Sequence, residues 1–358
     1  MKQTLTTISI SIATKLKPRT LAACAHKKPI RKPALQLAAT LCVSVLALSG
    51  CETLAPANQA EPYWTFSAAQ GISIHDTQTG TTLKIDTFNT LLGKPDYILL
   101  GETHDNPIHH DIELAIVRQL IADGWLQQVS MEMLTPKQTD SYYAAINEDK
   151  TRQPATSEQL KKRLLWPDKG WPWNDYARII ETTLANHIPL AAANIEHEEI
   201  MRIYQEGGDK TAATSSTVFS PTPEQTATLA ATIEESHCGQ IDTSMVPPMI
   251  AIQLAKDQAM AQSLLQVPAG ALLIAGAFHV RKDLSVPQHF LATSAHKQRL
   301  VIGMLEEPLP EKGTAQELTR SELALSLTAQ YDIVIFTPEH PREDPCNVFK
   351  KPPQTKQE

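Results

Sequence analysis

The sequence predicts an α/β protein with a mostly parallel central sheet flanked by helices. Three observations predict it. Short apolar runs recur with almost no polar interruption, as strands buried on both faces do. Apolar residues at helical spacing fill the segments between them. The two patterns alternate along the chain, which is the order of a sheet with crossover helices. With 358 residues, 42% hydrophobic and 20% charged, the chain has enough apolar side chains for one or two domains.

Residues 1–50 form a leader. They hold eight Lys/Arg and no Asp or Glu. The basic stretch Lys27–Lys32 precedes an almost wholly apolar stretch from Ala34 to Leu48, the charged and hydrophobic parts of an export signal. Those fifteen residues are too few for a membrane span, which takes roughly 20. Leu48-Ser49-Gly50-Cys51 resembles the bacterial lipobox, so Cys51 is expected to be the lipidated first residue of the mature chain. An uncleaved anchor with a chance cysteine is the alternative. Glu52, standing where an aspartate would retain such a protein at the inner membrane, implies the outer membrane of a Gram-negative cell. Acyl chains at about 0.8 kcal/mol per buried methylene would hold it there.

The net charge of −7 hides an asymmetry, because the chain beyond residue 50 carries 24 basic against 39 acidic residues. So acidic a body repels a phosphate backbone, which excludes nucleic acid as the expected partner. Residues 51–62 read as a lipidated tether, 63–338 as the α/β domain, and 339–358 as a polar, Pro-rich tail.

Within the domain the strand candidates are Tyr97–Leu100, Gln128–Met131, Ile188–Ala193, Ala271–Ala275, Leu300–Leu305 and Asp332–Phe336. Asn106-Pro107 supplies a cap and a first-turn proline for a helix through Ile121. Asn174 is expected to cap a helix to about Asn186, and a third runs from about Pro248 to Gln266. Residues 207–226, rich in Gly, Ser, Thr and Pro, read as a long loop or lid. Of the five cysteines, Cys24 and Cys42 leave with the leader and Cys51 is acylated. Cys238 and Cys346 remain, expected to pair in an oxidising compartment or else to stay as two buried thiols.

One pattern occurs twice, an apolar strand ending in Gly-x-x-His: Gly101-Glu102-Thr103-His104 and Gly276-Ala277-Phe278-His279. In an open parallel sheet ligands bind beyond the carboxyl ends of the strands, and each glycine lets the chain turn there and deliver a histidine. A third strand ends at Glu132. Glu102, His104, Glu132 and His279 therefore form the candidate catalytic set. His104 and His279 with Glu102 or Glu132 would make a three-ligand site for a divalent transition metal, the other glutamate serving as general base. The bland alternative is strand-end histidines held by hydrogen bonds, with the glutamates paired to Arg281 or Lys282. His109, His110, Arg281 and Asn194 are secondary candidates for ligand contact, with a solvent-facing position on the first helical turn the alternative for His110. Trp166, Trp171, Trp173 and Tyr176 make either a packed loop, the favoured reading, or a flat wall for a planar ligand. Met245, Met249 and Met260 read as core filler.

The stretch Leu99–Asn106 with His109-His110, then Met131-Glu132-Met133, the Trp-Pro-Trp loop, Ala192-Ala193-Asn194, His237-Cys238-Gly239, Gln253–Ala261, and Gly276–Arg281 with Val286-Pro287, resembles the ChaN family of haem-binding lipoproteins. The likeness runs in order from about residue 64 to 337. It implies the α/β fold shared with the Tiki and erythromycin-esterase-like groups. It also implies a haem-binding outer-membrane lipoprotein for haem or iron acquisition, a homodimer with haem at its interface, and a tyrosine iron ligand. Tyr142, Tyr143 and Tyr204 are the tyrosines freest to serve. Because fold does not dictate function, a metal-dependent peptidase or esterase remains the alternative, and an envelope adaptor a third reading.

Overall fold

A computed structural model of the protein describes residues 70–149, 154–207, 219–290, 294–307, 319–344 and 346–347. The expected leader, the lipidated Cys51 and the tether lie outside the described residues, as does most of the tail. Among the described residues no helix is long and apolar enough to cross a membrane.

The strands are β1 (Ser73–Asp76), β2 (Tyr97–Glu102), β3 (Gln128–Met131), β4 (Leu190–Ala192), β5 (Ala271–Gly276), β6 (Arg299–Glu307) and β7 (Ile333–Pro338). They form one sheet in the order β1-β7-β6-β2-β5-β3-β4. Every pairing is parallel except that of β1 with β7. The helices are α1 (Ile85–Leu92), α2 (Pro107–Ala122), α3 (Pro136–Glu148), α4 (Ser157–Arg163), α5 (Trp173–Ala185), α6 (His197–Gln205), α7 (Pro223–Ser236), α8 (Val246–Leu264) and α9 (Arg320–Ser326).

Alternation along the strands builds two cores. Ile98, Leu100, Leu272 and Ile274 face the layer that includes Phe88 of α1, Ile116 of α2 and Ile180 of α5. Tyr97, Leu99, Leu273 and Ala275 face the opposite layer, with Met260 and Leu264 of α8 and Ala324 of α9. Both faces of β2 and β5 are therefore apolar, and all six residues of each strand are buried. That double burial is why they appear as continuous apolar runs in the sequence.

Two expectations are corrected and one strand is added. α5 starts at Trp173 with Pro172 as its cap residue, so Asn174 lies inside the first turn. The stretch predicted as loop to residue 226 already contains the start of α7. There the Thr222 hydroxyl accepts from Gln225 N–H while the Gln225 side chain accepts from Thr222 N–H. This reciprocal cap is a helix-start signal that composition alone conceals; residues 208–218 are not described. Finally β1, unpredicted, is a four-residue antiparallel edge strand too short to show alternation.

Candidate functional site

Strand order creates the crevice. From β2 the chain crosses over β5 to reach β3, whereas from β5 it crosses back over β2 to reach β6. Connections that leave neighbouring strands in opposite directions open a gap beyond their carboxyl ends, where open α/β sheets bind ligands. Glu102 pairs in register with Gly276, so the two Gly-x-x-His motifs stand side by side at that gap. Glu132, one residue past β3, joins them, its backbone N–H donating to the Ile274 carbonyl over 3.0 Å.

The glycines make the approach possible. A Cβ on Gly101 would lie 2.5 Å from Val280 Cγ2 and 2.7 Å from Ala277 Cα, so the first motif packs directly on the second. A Cβ on Gly276 would lie 2.9 Å from His104 Nε2. The imidazole of one motif thus rests on the bare backbone of the other.

Each crevice histidine is oriented through Nδ1 by a buried carboxylate. His104 Nδ1 donates to Glu102 Oε1 over 2.8 Å, and His279 Nδ1 donates to Asp257 Oδ1, from α8, over 2.6 Å. Both Nε2 atoms then face one carboxylate. Glu132 Oε2 lies 3.7 Å from His104 Nε2 and Glu132 Oε1 lies 3.6 Å from His279 Nε2. Gly276 N–H holds the Glu132 carboxylate by donating to Oε2 over 2.9 Å. Burial opposes charge on His104, but hydrogen bonding and attraction from Glu102, with Glu132 beyond, raise its pKa above 6.5. Burial likewise opposes charge on His279, and Glu132 and Asp257 outweigh it, raising that pKa too. Burial pushes the Glu132 carboxyl up, whereas His279 and His104 pull it below the usual carboxylate range, and the pull prevails. Two carboxylate-oriented imidazoles sharing a third carboxylate are equipped to take a proton from, or give one to, a bound group.

Behind His104 lies a second group. Glu102 Oε1 also accepts from the Tyr176 hydroxyl over 3.0 Å. Glu102 Oε2 turns instead towards His110 Nδ1, 3.2 Å away, and Glu113 Oε2 lies 3.1 Å from the same nitrogen. His110 is therefore buried between α2 and the sheet end, which decides against the solvent-facing alternative. The cause is that α2 packs on both α5 and the sheet, which buries most of its circumference.

The remaining expected residues divide. Glu102, His104 and His279 do not gather as one metal-ligand set, because Glu102 bonds the far nitrogen of His104. Among the described residues, the group of His and carboxylate donors lying within 4.8 Å of one another is Glu102, His110 and Glu113. His109 faces away from the crevice: its Nδ1 accepts from Thr103 N–H and its Nε2 meets the Thr337 hydroxyl, fixing the turn after β2. Asn194 donates to the Glu132 carbonyl over 2.8 Å and so braces that turn. Arg281 is paired with Asp283 and Lys282 with Asp332, leaving neither for the crevice glutamates. The tryptophan loop is a packed loop, with Trp166 edge-on to Trp173 and its Nε1 donating to the Trp171 carbonyl. Trp171 also meets the His104 ring edge-on at 4.7 Å. Cys238 and Cys346 are bonded, their Cα atoms 5.7 Å apart. The bond ties the end of α7 to the tail. Arg342 of that tail pairs with Glu306 and with Asp105, the neighbour of His104.

Asp257, Glu113 and the orienting role of Tyr176 escaped the sequence reading. A signal existed for the first two, since each places a carboxylate on a helix stripe otherwise made of buried residues.

Over the crevice lies a cavity of about 380 Å³, bounded by His104, His279 and Phe278 below and by Leu229 and Ile233 of α7 above. The sequence matches the family described as haem-binding uptake, Tiki superfamily, ChaN over residues 90–290. The chain belongs to that family. Among solved structures it is similar to ChaN of Campylobacter jejuni, a structure described as showing cofacial haem binding. That likeness has 24% identity and a TM-score of 0.60, covering 75% of this chain and 97% of that one. A mutant of the erythromycin esterase EreC in its open conformation is 10% identical, with a TM-score of 0.44, covering 74% and 97% of the two chains. A Bacillus cereus protein is 13% identical, with a TM-score of 0.42, covering 74% and 95%. No curated protein matches. The α/β architecture expected for a ChaN-family chain is the one observed, and the crevice falls within the matched span.

Proposed function

We propose that this chain binds haem and serves haem or iron acquisition, anchored in the outer membrane through a lipidated Cys51. The membership of residues 90–290 in a haem-binding uptake family carries the reading. The crevice cavity, about 380 Å³, is near the lower end of the roughly 300–1,000 Å³ of ligand pockets. A porphyrin with its propionates needs more room, so the haem is assigned outside the crevice; the cavity of about 750 Å³ lined by Tyr142, Arg163 and His187 is larger but holds its tyrosine nearly buried, which favours an outer face. The tyrosines support this choice. Tyr97, Tyr143, Tyr176 and Tyr331 spend their hydroxyls on internal hydrogen bonds. Among the described tyrosines Tyr142 and Tyr204 do not; Tyr142 is 7% exposed and packs against Tyr143, whereas Tyr204 is half-buried on α6 and follows by three residues Met201, which is 39% exposed. Residues three apart share a helix face. Tyr204 is therefore the axial ligand of choice for iron, and a homodimer would cover the second face of the haem.

A haemin titration followed in the Soret band tests this. Saturable binding that survives His104→Ala with His279→Ala but weakens in Tyr204→Phe is the expected result. Absence of a saturable shift in the unmutated chain would overturn haem binding. Loss of membrane association in Cys51→Ser tests the anchor.

A second reading has its own observation in the two oriented dyads, Glu102–His104 and Asp257–His279, whose Nε2 atoms converge on Glu132. Haem carriage has no use for that arrangement, whereas hydrolysis of a peptide or ester by general acid–base chemistry can use it. Turnover of ester or peptide probes that falls by a factor on the order of 100 or more in Glu132→Gln would support it. Turnover equal in the two proteins would sink it.

A further inference from the structure

The group behind His104 has a charge arrangement that points to a ligand. His110 Nε2 lies 3.1 Å from the His104 carbonyl oxygen, which can only accept, so that nitrogen carries hydrogen. Nδ1 faces two carboxylate oxygens, Glu113 Oε2 at 3.1 Å and Glu102 Oε2 at 3.2 Å. Burial opposes charge on the ring, but hydrogen bonds and attraction from Glu102 and Glu113 push its pKa up to about 11, so in the chain without an ion a proton sits at Nδ1 too. Three donor atoms, all within 4.8 Å of one another, thus converge on that proton. Glu102 and Glu113 are 2% and 0% exposed, and Glu102 Oε2 receives no hydrogen bond. Two buried carboxylates are costly unless a positive charge stands among them; the protonated His110 ring supplies it here, and a divalent ion in place of that proton would supply more.

We propose that Glu102, His110 and Glu113 form a binding site for a first-row divalent transition ion, distinct from the crevice bounded by His104, Glu132 and His279. The donor set selects the ion class. One imidazole nitrogen with two carboxylates suits zinc, manganese or iron(II) and is poor for calcium or magnesium, which take oxygen ligands. Spacing agrees as well. Bonds of about 2.0–2.1 Å in a tetrahedral shell place ligand atoms about 3.3 Å from one another, close to the two separations observed. The third separation, between the Glu102 and Glu113 oxygens, is within 4.8 Å. Glu102 would then bridge, its Oε2 on the ion and its Oε1 on His104 and Tyr176, so that the ion sets the orientation of the crevice imidazole from behind.

The full-length chain, stripped with chelator and dialysed against Zn2+, tests the site by metal analysis and by zinc-edge X-ray absorption. The expected result is about one zinc per chain, with a shell of one nitrogen and the rest oxygen. Zinc is expected to stay in His279→Ala and to fall to background in His110→Asn and in Glu113→Gln. Failure of the unmutated chain to keep zinc would overturn the proposal. So would a shell with two nitrogens, or zinc lost in His279→Ala and kept in Glu113→Gln, since either puts the ion in the crevice. Should Glu113→Gln not fold, the spectrum of the unmutated chain and the His279→Ala measurement decide. None of these readouts depends on haem.

Discussion

His104 lies against Gly276 so closely that a Cβ there would meet Nε2 at 2.9 Å, and the same glycine's N–H holds Glu132. One missing side chain thus positions two members of the site. Gly276→Ala should displace the His104 ring, a flexible group, at a cost of about 1 kcal/mol. Leaving Glu102 and Glu132 behind, His104 should titrate at lower pH in the variant, which NMR of the histidine ring protons would follow. An unchanged titration would show that the ring tolerates the added methyl.

Gly101→Ala should be more damaging. The added Cβ would meet Ala277 Cα at 2.7 Å, a backbone atom that cannot swing aside. Denaturant unfolding should register a loss on the order of 1–3 kcal/mol, larger than for Gly276→Ala. The reverse ranking would contradict the packing of the two motifs.

Asp257→Asn removes the carboxylate that orients His279 and leaves the ring buried. Burial lowers an imidazole pKa, and Asp257 is among the groups that offset it here. The His279 pKa is expected to fall, with the fold retained because an amide oxygen still accepts from Nδ1. A pKa that stays put would assign the whole shift to Glu132.

His289 makes the fold acid-sensitive. Both ring nitrogens are buried without hydrogen bonds, Phe219 packs edge-on at 5.4 Å, and burial lowers the pKa to about 4. Because the unfolded chain takes up this proton near pH 6.5 and the folded chain only near pH 4, stability is lost as pH falls through that window. Between pH 7 and 5 the loss from this one group is about 2 kcal/mol. Unfolding curves of His289→Leu should show a shallower decline over the same interval.

Reduction of the Cys238–Cys346 bond, or Cys346→Ser, should lower stability by roughly 2–4 kcal/mol, because the bond closes a loop spanning 108 residues. Hydrogen exchange should quicken at the end of α7, which the tail no longer restrains. An unchanged denaturation midpoint on reduction would mean that the bond is not formed in the purified chain.

Much of this molecule was legible before the structure. Among the described residues six of the seven strands announce themselves as apolar runs, and the Gly-x-x-His motifs mark the carboxyl ends where the crevice lies. Asn106 and Pro107 do cap α2, with Asn106 Oδ1 accepting from Ile108 N–H. The misses have physical causes. Thr222 and Gln225 cap α7 through two hydrogen bonds inside a stretch whose composition reads as loop. Asp257 and Glu113 sit on apolar stripes, where sequence alone cannot tell a buried partner from a tolerated charge.

The sequence by itself determined the strand periodicity, the turn at each motif glycine, and the set of ionisable side chains at the strand ends, because burial, backbone freedom and residue chemistry are local properties. Only the tertiary structure decided which of them meet. The insertion of β5 between β2 and β3 set Glu132 between two imidazoles. It let α8 supply Asp257 to His279, while the packing of α2 on α5 and the sheet brought His110 and Glu113 against Glu102. The meetings of Glu132 with both imidazoles and of Asp257 with His279 join residues far apart in the chain, and crossover order leaves no period in the sequence from which to read them; those of Glu102, His104, His110 and Glu113 are near in sequence, but which ring nitrogen faces which carboxylate is set by packing.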